Sequence, residues 1–348
     1  MKIADRTIGV DAPPFIIAEM SGNHGGSLEH ALAIVDAIAA TGVQALKLQT
    51  YTADTMTIDK ADGEFFIADP NSLWKGRNLY DLYREAHTPW EWHAQIFERA
   101  RQHGMLAFST PFDATAVDFL ETLNVPLYKI ASFENIDLSL IRRVARTGKP
   151  MIISTGMANL AEIDEAVRTA RAAGCRDLVL LKCTSNYPAS PAASNLATIP
   201  ELRKVFGCEV GLSDHTLGTA VAIASVALGA TVIEKHVTLR RSDGAVDSAF
   251  SLEPDELRQL VEGAEMARQS VGGVFIGPTE SELPSLLHRR SLYICEDIKT
   301  GERFSPRNLR AIRPGLGLPP KYIDTFLGKK AAREIRRGTP LDWDMLAN

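Results

Sequence analysis

Short apolar runs alternate with amphipathic helical stretches through most of the chain, and few folds accept that rhythm. Candidate strands lie at 15–20 (FIIAEM), 45–50 (ALKLQT), 106–111 (LAFSTP), 127–132 (LYKIAS), 151–156 (MIISTG), 178–184 (LVLLKCT), 209–216 (EVGLSDHT) and 231–238 (TVIEKHVT). Each is short and rich in aliphatic or β-branched side chains. Between them lie helical patterns such as LEHALAIVDAIAA, WEWHAQIFERARQHG and LAEIDEAVRTARAAG, two of which stop at glycine. Eight such βα units within residues 1–272 predict an α/β protein built on a TIM (β/α)8 barrel. A doubly wound sheet is the alternative, weakened because no GxGxxG opens the first helix.

Residues 51–77 lack clean periodicity and read as a long βα loop that covers a site. The barrel rhythm ends near Gly272. Glycines and prolines then mark a linker over 273–288, and 289–348 changes to short runs and turns, read as a small β-rich domain. The four cysteines are dispersed and form no CxxC pair, which argues against a zinc ribbon or disulfide framework and fits a reducing, cytoplasmic setting. A net charge of -5 gives no reason to expect nucleic acid. No apolar leader opens the chain, and the apolar run 220–233 falls short of the roughly 20 residues of a membrane span, so no membrane partner is expected.

Function is read from the polar residues that interrupt the strands. Barrel strands are buried on both faces, so charge within them is costly unless it serves a site. Here nearly every strand ends in polar chemistry: Glu19; Lys47 and Gln49; Ser109 and Thr110; Lys129 and Ser132; Ser154 and Thr155; Lys182 and Thr184; Asp214 and His215; Glu234 and His236. Barrel active sites form at this C-terminal end. His215 and His236 close consecutive strands, so their imidazoles can converge on one ion. Two histidines with oxygen ligands suit Mn, Fe, Co or Zn better than Ca. Glu19 and Asp214 are candidate outer ligands or acid–base groups. Lys47, Lys129, Ser132, Ser154, Thr110 and Ser213 form a ring suited to a phosphate and a carboxylate. These residues point to a metal-dependent lyase or synthase acting on a small phosphorylated acid.

The stretches IIAEMSGNHGG, KLQTY, FSTPFD, YKIAS, STGM, LKCTSNYPA, GLSDHT and EKHVT, in this order, resemble the motifs of the sialic acid synthases. The tail RSLYICEDIKTGERFSPRNLRAIRPGLGL resembles their antifreeze-like (SAF) domain, and GRNLYDLYREAHTPWEWH and SAFSL resemble the pseudaminic acid branch. The resemblance implies a barrel followed by an SAF domain, and a domain-swapped homodimer. It implies condensation of phosphoenolpyruvate with an amino-sugar aldehyde by C–O cleavage, with a divalent cation, Mn2+ first and Mg2+ or Co2+ as alternatives. Carried over by motif, His215 and His236 hold the metal. Lys47, Gln49, Thr110, Lys129, Ser132, Ser154, Asn186 and Ser213 bind substrate, and Tyr187 contacts it. Glu19, Glu234 and Asp247 are catalytic, and Arg313 reaches the partner's sugar pocket. The family reads glycine–proline–aspartate before SAFSL; this chain has Gly244-Ala245-Val246-Asp247 and so lacks the fixed φ of proline.

Three other readings remain open from the residues. N-acetylneuraminate or legionaminate synthesis would use the same chemistry. A Schiff-base enzyme would use Lys129, Lys182 or Lys235. An ice-binding tail is disfavoured by the basic Arg303, Arg307, Arg310 and Arg313.

Overall fold

Eight strands close into one parallel barrel: β1 (Phe15–Glu19), β2 (Ala45–Thr50), β3 (Leu106–Pro111), β4 (Tyr128–Ile130), β5 (Met151–Ser154), β6 (Leu178–Cys183), β7 (Glu209–Asp214) and β8 (Val232–His236). Strands adjacent in sequence are adjacent in space, and β8 pairs with β1 to complete the ring. That closure rules out the doubly wound alternative. The computed structural model describes residues 1–70 and 72–347. Contacts divide the chain into two units, Met1–Gly272 and Gly273–Asn348.

The strands stand where the apolar runs predict them, and all their residues are buried except the half-buried Gln49, Leu106 and Glu209. Only the runs 45–50 and 106–111 form strands over their full length; the other six are shorter than expected, as where 127–132 and 151–156 give Tyr128–Ile130 and Met151–Ser154. Their polar ends leave the ladder early. Asn135, for example, turns its amide onto the Ser154 and Thr155 carbonyls at 3.2 and 2.8 Å. Gly211 is fixed by packing, since a Cβ there would lie 2.0 Å from the Val232 carbonyl oxygen of β8.

Helices α1 (Leu28–Ala39), α2 (Ala53–Met56), α3 (Leu79–Ala86), α4 (His93–Gln102) and α5 (Ala114–Thr122) follow in the first half of the barrel. Then come α6 (Leu138–Ala145), α7 (Leu160–Ala172), α8 (Thr198–Phe206), α9 (Ala220–Ala227) and α10 (Pro254–Val271). Their starts are written in the sequence. Ser27 caps α1 by accepting from the His30 amide, Asp113 caps α5, and Asn159 with Glu162 forms a capping box on α7. Among the described residues no helix is long and apolar enough to cross a membrane.

In the second unit, β9 (Ser291–Ile294) pairs antiparallel with β10 (Leu309–Ile312). The remaining pairing consists of single bridges such as Ile298–Ile335 and Ala331–Leu346 around a core of Leu292, Ile294, Phe304, Leu309 and Phe326. Turn residues interrupt each run before a ladder can grow. Within 273–288 a 3-10 helix runs from Glu280 to His288, and Val274, Phe275 and Ile276 are exposed.

Candidate active site

Strand parity sorts the polar strand ends into two populations. In the ladder, Glu19 lies beside Lys47 and His236, Glu234 lies beside Ser213, and Gln49 beside Thr110. All of these, with Lys129 and Ser154, fall on the inward positions of their strands. The residues between them face outward. Thus Asp214 is not an outer ligand. It is buried on the outer face, where Lys235 Nζ contacts its Oδ2 at 2.7 Å and the Thr216 amide donates to its Oδ1 at 2.9 Å. Ser109 likewise joins a buried outer chain, Ser109–Thr50–His93, linked at 2.6 and 2.8 Å. Lys182 binds the Thr184 hydroxyl at 2.6 Å.

The inward set forms a buried four-charge cluster. Lys47 Nζ lies 2.8 Å from Glu19 Oε2 and 3.2 Å from Glu234 Oε1, and Lys129 Nζ lies 3.4 Å from the same Glu234 oxygen. Lys47 also donates to Thr110 Oγ1 at 3.1 Å. Burial opposes charge on all of them, but the neighbours split the two carboxylates. Burial raises Glu19 to about 7 despite Lys47, while for Glu234 the two lysines outweigh burial and bring it down to about 2. Burial lowers Lys129, whereas Glu19 and Glu234 reverse its effect on Lys47 and raise it. A carboxyl that holds its proton beside one that does not is the arrangement of an acid–base pair.

Above this cluster opens a cavity of about 430 Å³ bordered by Lys47, Gln49, Lys129, Ser132, Ser154 and Ser213, by His215 and His236, and by Glu234, Tyr187 and Asp247. Glu19 and Thr110 lie beneath its floor and support Lys47. The imidazoles of His215 and His236 stand 5.3 Å apart between ring centroids. His215 Nδ1 meets the Thr184 carbonyl at 2.9 Å, which sets the tautomer and frees Nε2. Burial lowers His236 far below its ordinary range. Asp247 Oδ2 accepts from the Ser21 hydroxyl and lies 3.9 Å from His236 Nδ1. The Ala245-Val246 substitution in this loop therefore does not remove Asp247 from the site; Trp74 Nε1 instead binds the Val246 carbonyl at 3.2 Å. The Tyr187 ring lies 4.4 Å from the His215 ring, tilted at 49° to it. Asn186 is exposed and does not border the cavity, and Arg313 is an exposed residue of the second unit.

The donor set fits a cation that takes its remaining ligands from substrate or water. Buried atoms left without hydrogen bonds include Glu19 Oε1, Glu234 Oε2 and His236 Nδ1. Among the described residues, no group of three or more His, Cys, Asp or Glu side chains is arranged to hold a metal, so the protein would supply chiefly the two imidazoles.

Several lining residues escaped the sequence reading. Tyr51, Trp74, Tyr83 and Phe112 carry no strand-end signal and come from the long β2–β3 connection or from beside it. Glu134 follows β4; burial raises it to about 7 and its Oε2 has no hydrogen-bond partner. Burial alone would raise the inward-facing Cys183 thiol, but His215 and Ser132 bring it down to about 7.

This geometry has close counterparts. The NeuB family model matches residues 34–275 and the SAF domain model matches 289–347. The chain belongs to the NeuB family. Within reach of this NeuB protein is the pseudaminic acid synthase of Campylobacter jejuni, 44% identical over 331 residues, 95% of this chain and 96% of that protein. The pseudaminic acid synthase of Helicobacter pylori is 42% identical over 338 residues, 95% of this chain and 97% of that one. The crystal structure of an N-acetylneuraminic acid synthetase from Leptospira borgpetersenii superposes with a TM-score of 0.73 at 30% identity, over 82% of this chain and 94% of that one.

Proposed function

We propose that this NeuB-family chain is a pseudaminic acid synthase. It joins C3 of phosphoenolpyruvate to the aldehyde carbon of 2,4-diacetamido-2,4,6-trideoxy-altrose, and water adds at C2 as the C2–O bond breaks and phosphate leaves. The observation that carries the reading is the pair of buried lysines, Lys47 and Lys129, flanking Glu234 on the floor of a cavity whose rim carries His215 and His236. The 44% identity to a pseudaminic acid synthase supports the choice of sugar.

Lys47, Lys129, Ser132, Ser154 and Ser213 bind the phosphate and carboxylate of phosphoenolpyruvate, with Gln49 completing its surroundings. Ser154 Oγ, buried without a partner, is free to donate there. Glu19, raised to about 7, holds a proton beneath the floor, and Lys47, 2.8 Å away, is the group that passes a proton on toward the aldehyde oxygen as the new bond forms. Glu234 stays ionised and orients the lysines. Asp247, fixed by Ser21, orients His236. A divalent cation on His215 and His236, Mn2+ first among Mn2+, Mg2+ and Co2+, would supply Lewis acidity toward the aldehyde oxygen. Holding both substrates in one cavity removes much of the entropic barrier.

The enzyme acts as a cytoplasmic homodimer in this reading, with Arg313 of one copy reaching the sugar end of the other copy's site. The exposed run Val274, Phe275 and Ile276 supports a second copy as its cover. Phosphate release from phosphoenolpyruvate tests the proposal, with the altrose sugar, its legionaminate-type counterpart and N-acetylmannosamine offered in parallel, before and after chelation. Metal-dependent release with the altrose sugar is expected. Preference for N-acetylmannosamine would move the chain to neuraminate synthesis, and no release with any sugar in metal-loaded protein would overturn the reaction.

A further inference from the structure

The cavity has two unlike ends. Opposite the charged floor stands a wall built almost wholly by the segment between β2 and β3. Met56 ends α2, Ile67 lies in the loop beyond it, and Leu79, Leu82 and Tyr83 project from α3, with Phe112 just past β3. Leu79, Leu82 and Tyr83 are spaced i, i+3 and i+4, so they share one helical face. The opposite face of α3 spends its polar groups elsewhere. Tyr80 binds Asp54 at 3.1 Å, Arg84 pairs with Asp81 at 2.6 Å, and Glu85 with Arg77 at 2.5 Å. These six side chains offer a substrate no charge and one hydroxyl, that of Tyr83, whose pKa burial and the neighbouring Glu134 raise; Glu134 and Tyr51 border the same cavity beside them.

This wall is held rigidly against the barrel. α2 packs on α3, and the end of α3 rests on the 3-10 turn Ser21–His24 that follows β1. Contact there is so close that a Cβ on Gly22 would sit 3.1 Å from the Ala86 carbonyl oxygen. Tyr51, which also borders the cavity, braces the wall edge-on to Tyr83 at 5.8 Å and to Phe112 at 5.2 Å.

We infer that the Met56–Ile67–Leu79–Leu82 wall is the specificity determinant of the sugar site and selects an aldose whose far end is apolar, a 6-deoxy carbon in place of a 6-hydroxyl. The inference rests on the condensation reading above. Phosphoenolpyruvate occupies the lysine floor and the aldehyde lies toward the histidines, so the far carbons of an open-chain sugar are left facing this wall. A methyl group there leaves water for an apolar surface. A hydroxyl loses its hydration and finds no partner on Met56, Ile67, Leu79 or Leu82. Apolar pockets of this kind discriminate by roughly 10–200-fold, which sets the expected preference.

The test compares 2,4-diacetamido-2,4,6-trideoxy-altrose with the same sugar bearing a 6-hydroxyl, at saturating phosphoenolpyruvate. The wild-type protein is expected to favour the deoxy sugar in kcat/KM by roughly 10–200-fold. Met56→Gln, isosteric at a half-buried position, and Leu79→Asn are each expected to shrink that ratio about tenfold. The change should appear in KM for the sugar, with KM for phosphoenolpyruvate unchanged. Two variants are used so that a folding defect in Leu79→Asn leaves Met56→Gln to decide. Turnover without a deoxy preference, or variants that slow both sugars equally, would overturn the wall's role and leave the reaction standing. Absence of turnover with either sugar would overturn the reaction and the inference together.

Discussion

Lys235 and Lys129 are both strand lysines buried in the barrel, yet the structure gives them opposite duties, and removing each should separate stability from catalysis. Lys235 points outward, contacts Asp214 Oδ2 at 2.7 Å and also donates to the Thr216 carbonyl. Lys235→Met leaves the Asp214 carboxylate buried without its counter-ion. Breaking such a pair costs about 3–5 kcal/mol. Asp214 keeps the Thr216 amide at 2.9 Å and hydroxyl at 3.1 Å, which places the loss at the lower end, about 3 kcal/mol. At about 2 °C per kcal/mol for a domain of this size, Tm should fall by about 6 °C. The double variant Lys235→Met/Asp214→Asn removes both charges and should recover most of that loss. Calorimetric unfolding gives Tm, and phosphate release at 20 °C, well below the transition, gives turnover. The folded Lys235→Met enzyme should still turn over, whereas Lys129→Met should lose about 10²–10³-fold in kcat. A Lys235→Met protein as stable as wild type, or one that is folded but dead while Lys129→Met stays active, would refute the assignment by parity. So would borohydride trapping of substrate on Lys235.

Three further outcomes follow from the same geometry. His93 is buried against Thr50 and burial lowers it to about 4, so the native protein stays neutral where the unfolded chain takes up a proton; stability should fall as pH drops from about 6.5 to 4, and His93→Gln should flatten that dependence in urea unfolding. Gly211→Ala drives a Cβ into the Val232 carbonyl at 2.0 Å and should cost about 3 kcal/mol or more, read as loss of soluble folded protein; normal expression and Tm would contradict the packing described for β7 and β8. His215→Ala and His236→Ala should each lower bound metal after dialysis, measured by elemental analysis; full metal content in both would remove the two-histidine assignment.

The barrel was legible because its signal is local. Aliphatic runs of strand length recur between helices that carry their own caps, as at Ser27, Asp113 and Asn159. The inward site residues were legible for a related reason: Lys47, Lys129 and Glu234 are charges set inside apolar strands, where burial is costly. Composition does not announce which side of the sheet a strand-end residue occupies, so by sequence Asp214 is a candidate outer ligand or acid–base group although it faces outward beside Lys235. The apolar wall was hidden for the opposite reason. Met56, Ile67 and Trp74 lie on an irregular connection where an apolar residue predicts nothing by itself, and they gain meaning only when α3 brings them over the barrel mouth. Asp247 shows that a loop can keep its functional residue without proline, because Ser21 and the Trp74 contact to Val246 hold it from outside.

The most direct test of the central claim follows the oxygen that bridges carbon and phosphorus in phosphoenolpyruvate. The account predicts that phosphoenolpyruvate labelled with oxygen-18 at that bridge, turned over with the altrose sugar by metal-loaded enzyme, delivers the label to phosphate while the nonulosonate takes its C2 oxygen from water. Label retained in the sugar acid would mean cleavage between phosphorus and oxygen, and would contradict the chemistry assigned to this cavity.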